Sequence, residues 1–168
     1  SKNGHIEVVR ALLEAGAGAD VRRLNVNGRT PIYRACHGKH MEVFRVLMEA
    51  GGDVDTPDSN GDTALHNASA RGFTEGVRYL VERGADVNMS STGEYGDTPL
   101  TLASYLGRVE VVRALLEAGA DVNKRNGVGS SPLARALEEE TWHSEQRRQD
   151  KAQVAVLLRE AGAQEPQQ

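Results

Sequence analysis

Apolar and polar residues in this chain recur with the period of short helices rather than of strands. Between Val109 and Ala118, the residues Val111, Val112, Leu115 and Leu116 fall on one face of a helix, and Gly119 stands where a left-handed C-cap is expected. A shorter block lies just upstream, where Leu100, Ala103 and Ser104 follow Thr98-Pro99 at helical spacing and stop at Gly107. A Thr or Ser hydroxyl accepts from an orphan backbone N–H, and Pro suits the first helical position because its missing N–H costs nothing there. The pattern therefore predicts a helix at each Thr/Ser-Pro, a glycine stop, a second helix with an apolar stripe, and a turn-rich stretch projecting as a hairpin finger.

This two-helix block recurs. Thr30-Pro31-Ile32, Thr63-Ala64-Leu65, Thr98-Pro99-Leu100 and Ser131-Pro132-Leu133 start 33, 35 and 33 residues apart, and Gly28, Gly61, Gly96 and Gly129 precede them. Glu42-Val43-Phe44, Glu75-Gly76-Val77 and Glu110-Val111-Val112 keep the same register. So do Gly51-Gly52-Asp53, Gly84-Ala85-Asp86 and Gly119-Ala120-Asp121. One such unit cannot bury its own apolar face, so roughly three or more must stack. The anchors resemble the ankyrin repeat over nearly the whole chain. That resemblance implies an all-α ankyrin-repeat solenoid of stacked helix-turn-helix modules with projecting β-hairpin or loop fingers. It divides the single domain 1–168 into a partial first repeat at 1–24, repeats at 25–57, 58–92 and 93–125, and an atypical C-terminal repeat at 126–168. The first module enters at its second helix, from Gly4 to Val9. Either sequence precedes it, the preferred reading, or Val8, Val9, Leu12 and Leu13 form a partly bare edge.

Departures from the period mark where individual character resides. The stretch from Gly16 to Asp20 is two residues longer than its counterpart, and the finger holding Ser90, Ser91, Thr92, Gly93, Glu94 and Tyr95 is two longer. The last module gains ten residues, roughly Glu138 to Gln149, without Gly or Pro. They are expected to prolong the first helix by about three turns, with Asp150 capping the next. Trp142 is the large apolar group of the insertion, either closing the stack or serving as a partner anchor. Lys39 stands where Gly72 and Gly107 stand, with Gly38 one residue early, so that helix-to-helix turn is expected to differ.

Composition narrows the class. Seven aromatic residues and 18 glycines suit thin Ala/Val/Leu layers better than one deep core. The longest apolar run, Val154 to Leu158, is far short of the ~18 residues of a membrane span, and nothing at the start reads as a signal peptide. With one cysteine, the expected setting is reducing, cytoplasmic or nuclear. A net charge of −4 and no Lys/Arg run longer than two argue against nucleic acid as a partner. Charge is uneven: residues 1–50 hold 8 basic and 5 acidic groups, and residues 51–168 hold 12 and 19.

Catalytic constellations are weak. Cys36, His37, His40 and His66 could be a thiol–imidazole pair or part of a zinc site, yet Cys36 occupies the small core position of Ser69 and Ser104, and no second cysteine completes a ligand set. Adjacent carboxylates Glu138, Glu139 and Glu140 point to different sides of a helix. No phosphate-cradling glycine loop is present. The expectation is therefore no enzyme, cofactor, metal or small-molecule substrate. By resemblance, His66 ties neighbouring modules together.

What remains is surface. In ankyrin domains, finger tips and the exposed side of each first helix on the concave face bind protein partners. The resemblance carries this onto Arg29, Asn60, Asp62, Glu94, Tyr95 and Asp97 in the fingers. On the helices it marks Tyr33, Arg34, His37, Asn67, Arg71 and Tyr105. Tyr33, Arg34, Arg71, Tyr95 and Tyr105 are favoured, because aromatic and Arg side chains dominate interface hot spots. The expected function is a monomeric, non-catalytic protein-interaction module. Alternatives are the targeting domain of a larger enzyme or ubiquitin-ligase-type assembly, and an engineered ankyrin binder. Leu80 to Asn88 and Leu115 to Asn123 also resemble the segment favoured by asparaginyl hydroxylase, which marks Asn88 and Asn123 as candidate modification sites.

Overall fold

The computed structural model describes residues 2–16, 21, 24–26, 28–138 and 144–166. Among them the chain forms α1 (Lys2–Glu14), α2 (Pro31–Gly38), α3 (Met41–Glu49), α4 (Ala64–Arg71), α5 (Thr74–Glu82), α6 (Pro99–Tyr105), α7 (Val109–Glu117), α8 (Pro132–Leu137) and α9 (Glu145–Glu160), and no strand.

Local chemistry starts and stops these helices. The hydroxyls of Thr30, Thr98 and Ser131 accept from the N–H groups of Tyr33, Thr101 and Ala134 at 3.1, 3.1 and 3.2 Å. Gly72 and Gly107 close α4 and α6 in the left-handed region, at φ 63° and 67°.

Lys39 closes α2 in the same way, at φ 53°. The turn expected to differ is therefore the same turn, made by a side-chain-bearing residue. The early Gly38 has another purpose, since a Cβ there would lie 2.4 Å from the His40 ring. A non-glycine in the left-handed region costs about 1–3 kcal/mol, and glycine at an unstrained site gives back less than 1 kcal/mol through the freer unfolded chain. Lys39→Gly is expected to stabilise the protein by about 1 kcal/mol, read as a melting temperature about 2–4 °C higher; an unchanged or lower value would contradict it.

The helices stack in two rows. The first helices pack α2 on α4 on α6 on α8, and the second helices pack α1 on α3 on α5 on α7 on α9. Ile32, Leu65, Leu100 and Leu133 hold one register and are all buried between the rows, as are Leu80, Leu115 and Leu158. Each such side chain contributes roughly 1.5–3 kcal/mol. The seam between α3 and α5 is aromatic: the Phe44 ring lies edge-on to Phe73 and Tyr79, with centroids 6.5 and 5.3 Å away. Gly76 makes room for it, because a Cβ there would lie 2.3 Å from the Phe73 ring.

Several expectations are corrected or sharpened. The ten-residue insertion does not prolong the first helix. α8 ends at Leu137, Glu138 takes φ −59° and ψ 118°, and α9 begins after Ser144, whose Oγ accepts from Arg147 N–H at 3.3 Å. Asp150 is inside α9, accepting from Gln146 Nε2, and does not cap it. Trp142 lies outside the described residues. Among the described residues the fingers are loops rather than strand pairs, and backbone bonds link the later ones, from Thr92 N–H to Asn60 O at 2.9 Å and from Gly127 N–H to Tyr95 O at 2.8 Å. At the leading edge Val8 and Leu12 are exposed while Val9 and Leu13 pack on the core. Beside α1 an open groove of about 1190 Å³ runs along α2 and α3, lined by Ile6, Val9, Pro31, Ala35 and Val43 among others.

Candidate functional site

Three of the four fingers owe their shape to an Asn or Asp three residues before the finger glycine; the lengthened finger has Gly93 there. Asp58 Oδ1 accepts from the N–H groups of Asn60 and Asp62 at 2.8 and 3.1 Å, and Asn126 Oδ1 from those of Val128 and Ser130 at 3.2 and 2.8 Å. Asn25 Oδ1 accepts likewise from Arg29 N–H. These are Asx turns, in which a short side chain satisfies the turn's own backbone. Gly28, Gly61 and Gly96 then bring the fingers together: they sit at φ 69°, 74° and 56°, and a Cβ at each would approach the next finger's backbone to 2.7, 2.5 and 2.9 Å. The recurring Asx-x-x-Gly at 25–28, 58–61 and 126–129 was the signal for these residues, and sequence reasoning passed over it.

Where fingers meet first helices there is a concavity of about 420 Å³. It gathers Arg29, Tyr33, His37, Asp62, Asn67 and Arg71, six of the residues expected to bind a partner, and adds Arg108, which the sequence reading did not single out. Their environments differ sharply. Arg34, His37 and Arg71 are exposed, as are Asn60, Glu94 and Tyr95. Tyr33 is buried, with the Arg29 guanidinium 5.0 Å over its ring, and burial raises its phenol above the ordinary value.

Besides the buried Tyr33, two further expected contact residues are committed inside the fold. Asn67 is buried and its Nδ2 donates to Tyr33 O at 2.8 Å, replacing a contact to a partner with one between α4 and α2. Asp97 is 7% exposed; its Oδ1 accepts from Asn126 Nδ2 at 2.8 Å and its Oδ2 lies 3.6 Å from Arg135 Nη2. Burial of a polar group demands such partners, so neither side chain is presented outward. Arg135 is buried too, 4.1 Å from the half-buried Tyr105 ring and 5.3 Å from Tyr95. The corresponding Arg34 on α2 is exposed, so one register position serves opposite ends.

His66 ties modules together, as its family position implied. Its Nδ1 accepts from Thr63 N–H at 3.2 Å, and its Nε2–H donates to Asp97 O at 3.1 Å, in the next module. Burial holds this imidazole below the usual histidine range. Cys36 is fully buried, which pushes its thiol up to about 12, so no thiolate nucleophile exists near neutral pH. Among the described residues no group of three or more His, Cys, Asp or Glu is placed to hold a metal, and no helix is long and apolar enough to cross a membrane. Asn88 and Asn123 both brace the following loop: Asn88 Oδ1 accepts from Asp121 N–H and Asn123 Oδ1 from Gln164 N–H, each at 2.8 Å.

Asp62 is the carboxylate of the concavity whose environment holds its proton most strongly. Burial, then the nearby Asp58 and Asp97, push its carboxyl from the ordinary 3.8 up to about 6, against a pull downward from Arg29. Between those two values the folded state holds more protons at Asp62 than the unfolded state does. Its contribution to stability therefore falls as pH rises from about 4 to about 6 and is level above. Asp62→Asn is expected to remove that slope and to gain about 1 kcal/mol over the parent at pH 7.5, a figure reduced for partial exposure. Urea unfolding of both proteins at pH 4 and 7.5 measures it; a gain no larger at pH 7.5 than at pH 4 would contradict the assignment.

Comparison with known proteins agrees with this geometry. The family model described as ankyrin repeats, in three copies, matches residues 1–91 and again residues 50–126. The chain is 39% identical over 79 residues, 46% of its length, to the Probable E3 ubiquitin-protein ligase XBOS33 of Oryza sativa subsp. japonica. It is 37% identical over 88 residues, 49% of its length, to NF-kappa-B inhibitor alpha of Sus scrofa, and 34% identical over 97 residues, 56% of its length, to Ankyrin repeat and SOCS box protein 3 of Bos taurus. The matched stretches are 15%, 27% and 18% of those three proteins, so the chain spans only a small part of the curated relatives it matches.

Proposed function

The chain belongs to the ankyrin-repeat family, and from that premise we propose that it is a non-catalytic module that holds one protein partner across its concave face and finger tips. The observation that carries the reading is the convergence of Arg29, His37, Asp62, Arg71 and Arg108 on one open concavity, framed by helices whose own apolar faces are consumed in stacking. A frame of stacked modules loses little conformational freedom on binding, so surface contacts count toward affinity. Tyr95, 47% exposed on the lengthened finger, extends the surface toward α8. Its role and that of Tyr105 differ, since Tyr105 is half-buried against Arg135, Arg147 and Lys151.

Site-specific photo-crosslinking tests the reading. A crosslinking amino acid at position 37, 71 or 95 is expected to capture a partner protein, and one at the exposed Arg113 of the second-helix row is not. Capture from position 113 alone would place the interface on the wrong side. The matches to a probable E3 ubiquitin-protein ligase and a SOCS box protein support a second, narrower reading, in which the module selects substrates for a larger assembly.

A further inference from the structure

Where the concavity meets the groove beside α1, with Arg34 on the groove side, Arg71 on the concavity side and His37 lining both, the surface has a chemical preference that the family does not specify. Six arginines of the stack are held by carboxylates: Arg29 by Asp58, Arg45 by Glu75, Arg78 by Glu117, Arg135 by Asp97 and Glu138, Arg148 by Glu145, and Arg159 by Glu165. Arg34 and Arg71 are exposed and, among the described residues, have no carboxylate partner. Arg34 and His37 lie three residues apart on α2 and so share a side of the helix. His37 Nε2 accepts from Arg71 Nη2 across the gap to α4.

Desolvation, then the positive charges of Arg71, Arg34 and Arg29, hold His37 below the usual histidine range. A neutral His37 is the right species to accept from Arg71, and the bond occupies one edge of a planar fork while leaving its other donors free. Arg108 Nε donates to Ala70 O at 3.0 Å and Lys39 Nζ to Gly72 O at 3.4 Å, which brings two more cations to the end of α4 beside Arg71. Asp62 supplies the acidic group of the same concavity, on its finger side.

We propose that Arg34 and Arg71, positioned by His37, form an anion seat that takes an acidic segment of the protein partner, through a carboxylate or a phosphorylated side chain. This rests on the concave-face reading above and adds the partner's chemistry to it. Guanidinium forks match both anions with paired, charge-assisted hydrogen bonds, and an unpaired exposed fork is free to make them without breaking a bond inside the fold.

Selection of a random 15-residue peptide library on the whole chain tests this, with enriched peptides resynthesised in three forms: as selected, with Glu and Asp replaced by Gln and Asn, and with phosphoserine at the acidic positions. Enriched peptides are expected to be net negative, to lose at least about tenfold in affinity to Arg34→Ala plus Arg71→Ala, and to weaken as salt rises, since the charges are exposed. Tighter binding of the phosphoserine form identifies phosphate as the preferred source, and tighter binding of the carboxylate form identifies acidic side chains. Enrichment of neutral or basic peptides, no enrichment, or acidic peptides indifferent to the double variant would overturn the proposal. Peptides that depend on Tyr95 but not on the two arginines would remove the anion seat and leave the concave-face reading standing. Peptides that protect Arg113 instead would remove both. Both arginines are exposed, so the double variant is expected to melt with the parent, which circular dichroism checks.

Discussion

Phe44→Ala is expected to lower the free energy of unfolding by about 3–5 kcal/mol, the range for removing a buried phenylalanine. The ring is fully buried and is the centre of the aromatic seam between α3 and α5, touching Phe73 and Tyr79 edge-on. Its counterparts in the later modules are Val77 and Val112, so truncation here leaves a larger void than at either. The void has little chance of collapsing, because Phe73 is already seated in the space left by Gly76. In a stack whose units contact only their neighbours, the loss is concentrated at one seam. Amide exchange should show α1 to α3 opening first while α6 to α9 keep their protection, and denaturant unfolding should lose its single sharp transition. A loss under about 1 kcal/mol, or uniform exchange along the chain, would show that the seam does not hold the first modules.

Asp97→Ala is the second large effect, at about 3 kcal/mol. Removing one member of a buried ion pair strands the other, and the penalty exceeds the net worth of the intact pair. Arg135 would keep Glu138, 2.7 Å from its Nη1, while Asn126 Nδ2 would lose its acceptor in a buried site. Arg135→Met leaves a side chain of similar length beside Tyr95 and Tyr105 but strips Asp97 of its cation. The double variant is expected to lose less than the sum of the two single losses, by about 1 kcal/mol or more, because each single change damages the same contact. Exchange should rise in α8 and α9 before the rest of the chain. Additive losses would mean that Asp97 and Arg135 act separately, and that the last module is held by its apolar contacts alone.

Much of the fold is local information. Thr30, Thr98 and Ser131 cap the helices that the Thr/Ser-Pro steps predict, and α7 ends at Glu117, one residue short of the expected Ala118. The insertion was misread for a physical reason. Residues 138–149 hold no Gly or Pro, and that composition does not say which helix they extend. Two contacts decide it at Glu138: its carboxylate is bound by Arg135 and its carbonyl accepts from Lys151 Nζ on α9. Ser144 then offers the cap, and α9 takes the added length.

The candidate surface was legible as a set of positions and illegible as a set of environments. Arg34, His37 and Arg71 are open, as expected of contacts, whereas Asn67 and Asp97 turn inward. Lys39 keeps the common turn although its sequence argues against it, since the packing of α2 on α3 imposes that conformation.

The sequence by itself determined the period, the helix starts, the left-handed stops and the family, because caps, prolines and glycines act on backbone groups within a few residues of themselves. Only the tertiary structure decided which polar side chains are spent inside the stack, which helix absorbs the insertion, and which arginines stay unpaired. Those outcomes depend on what the next module, about 33 residues away, places against each side chain. Burial and charge pairing are properties of that juxtaposition and are not written at either position alone.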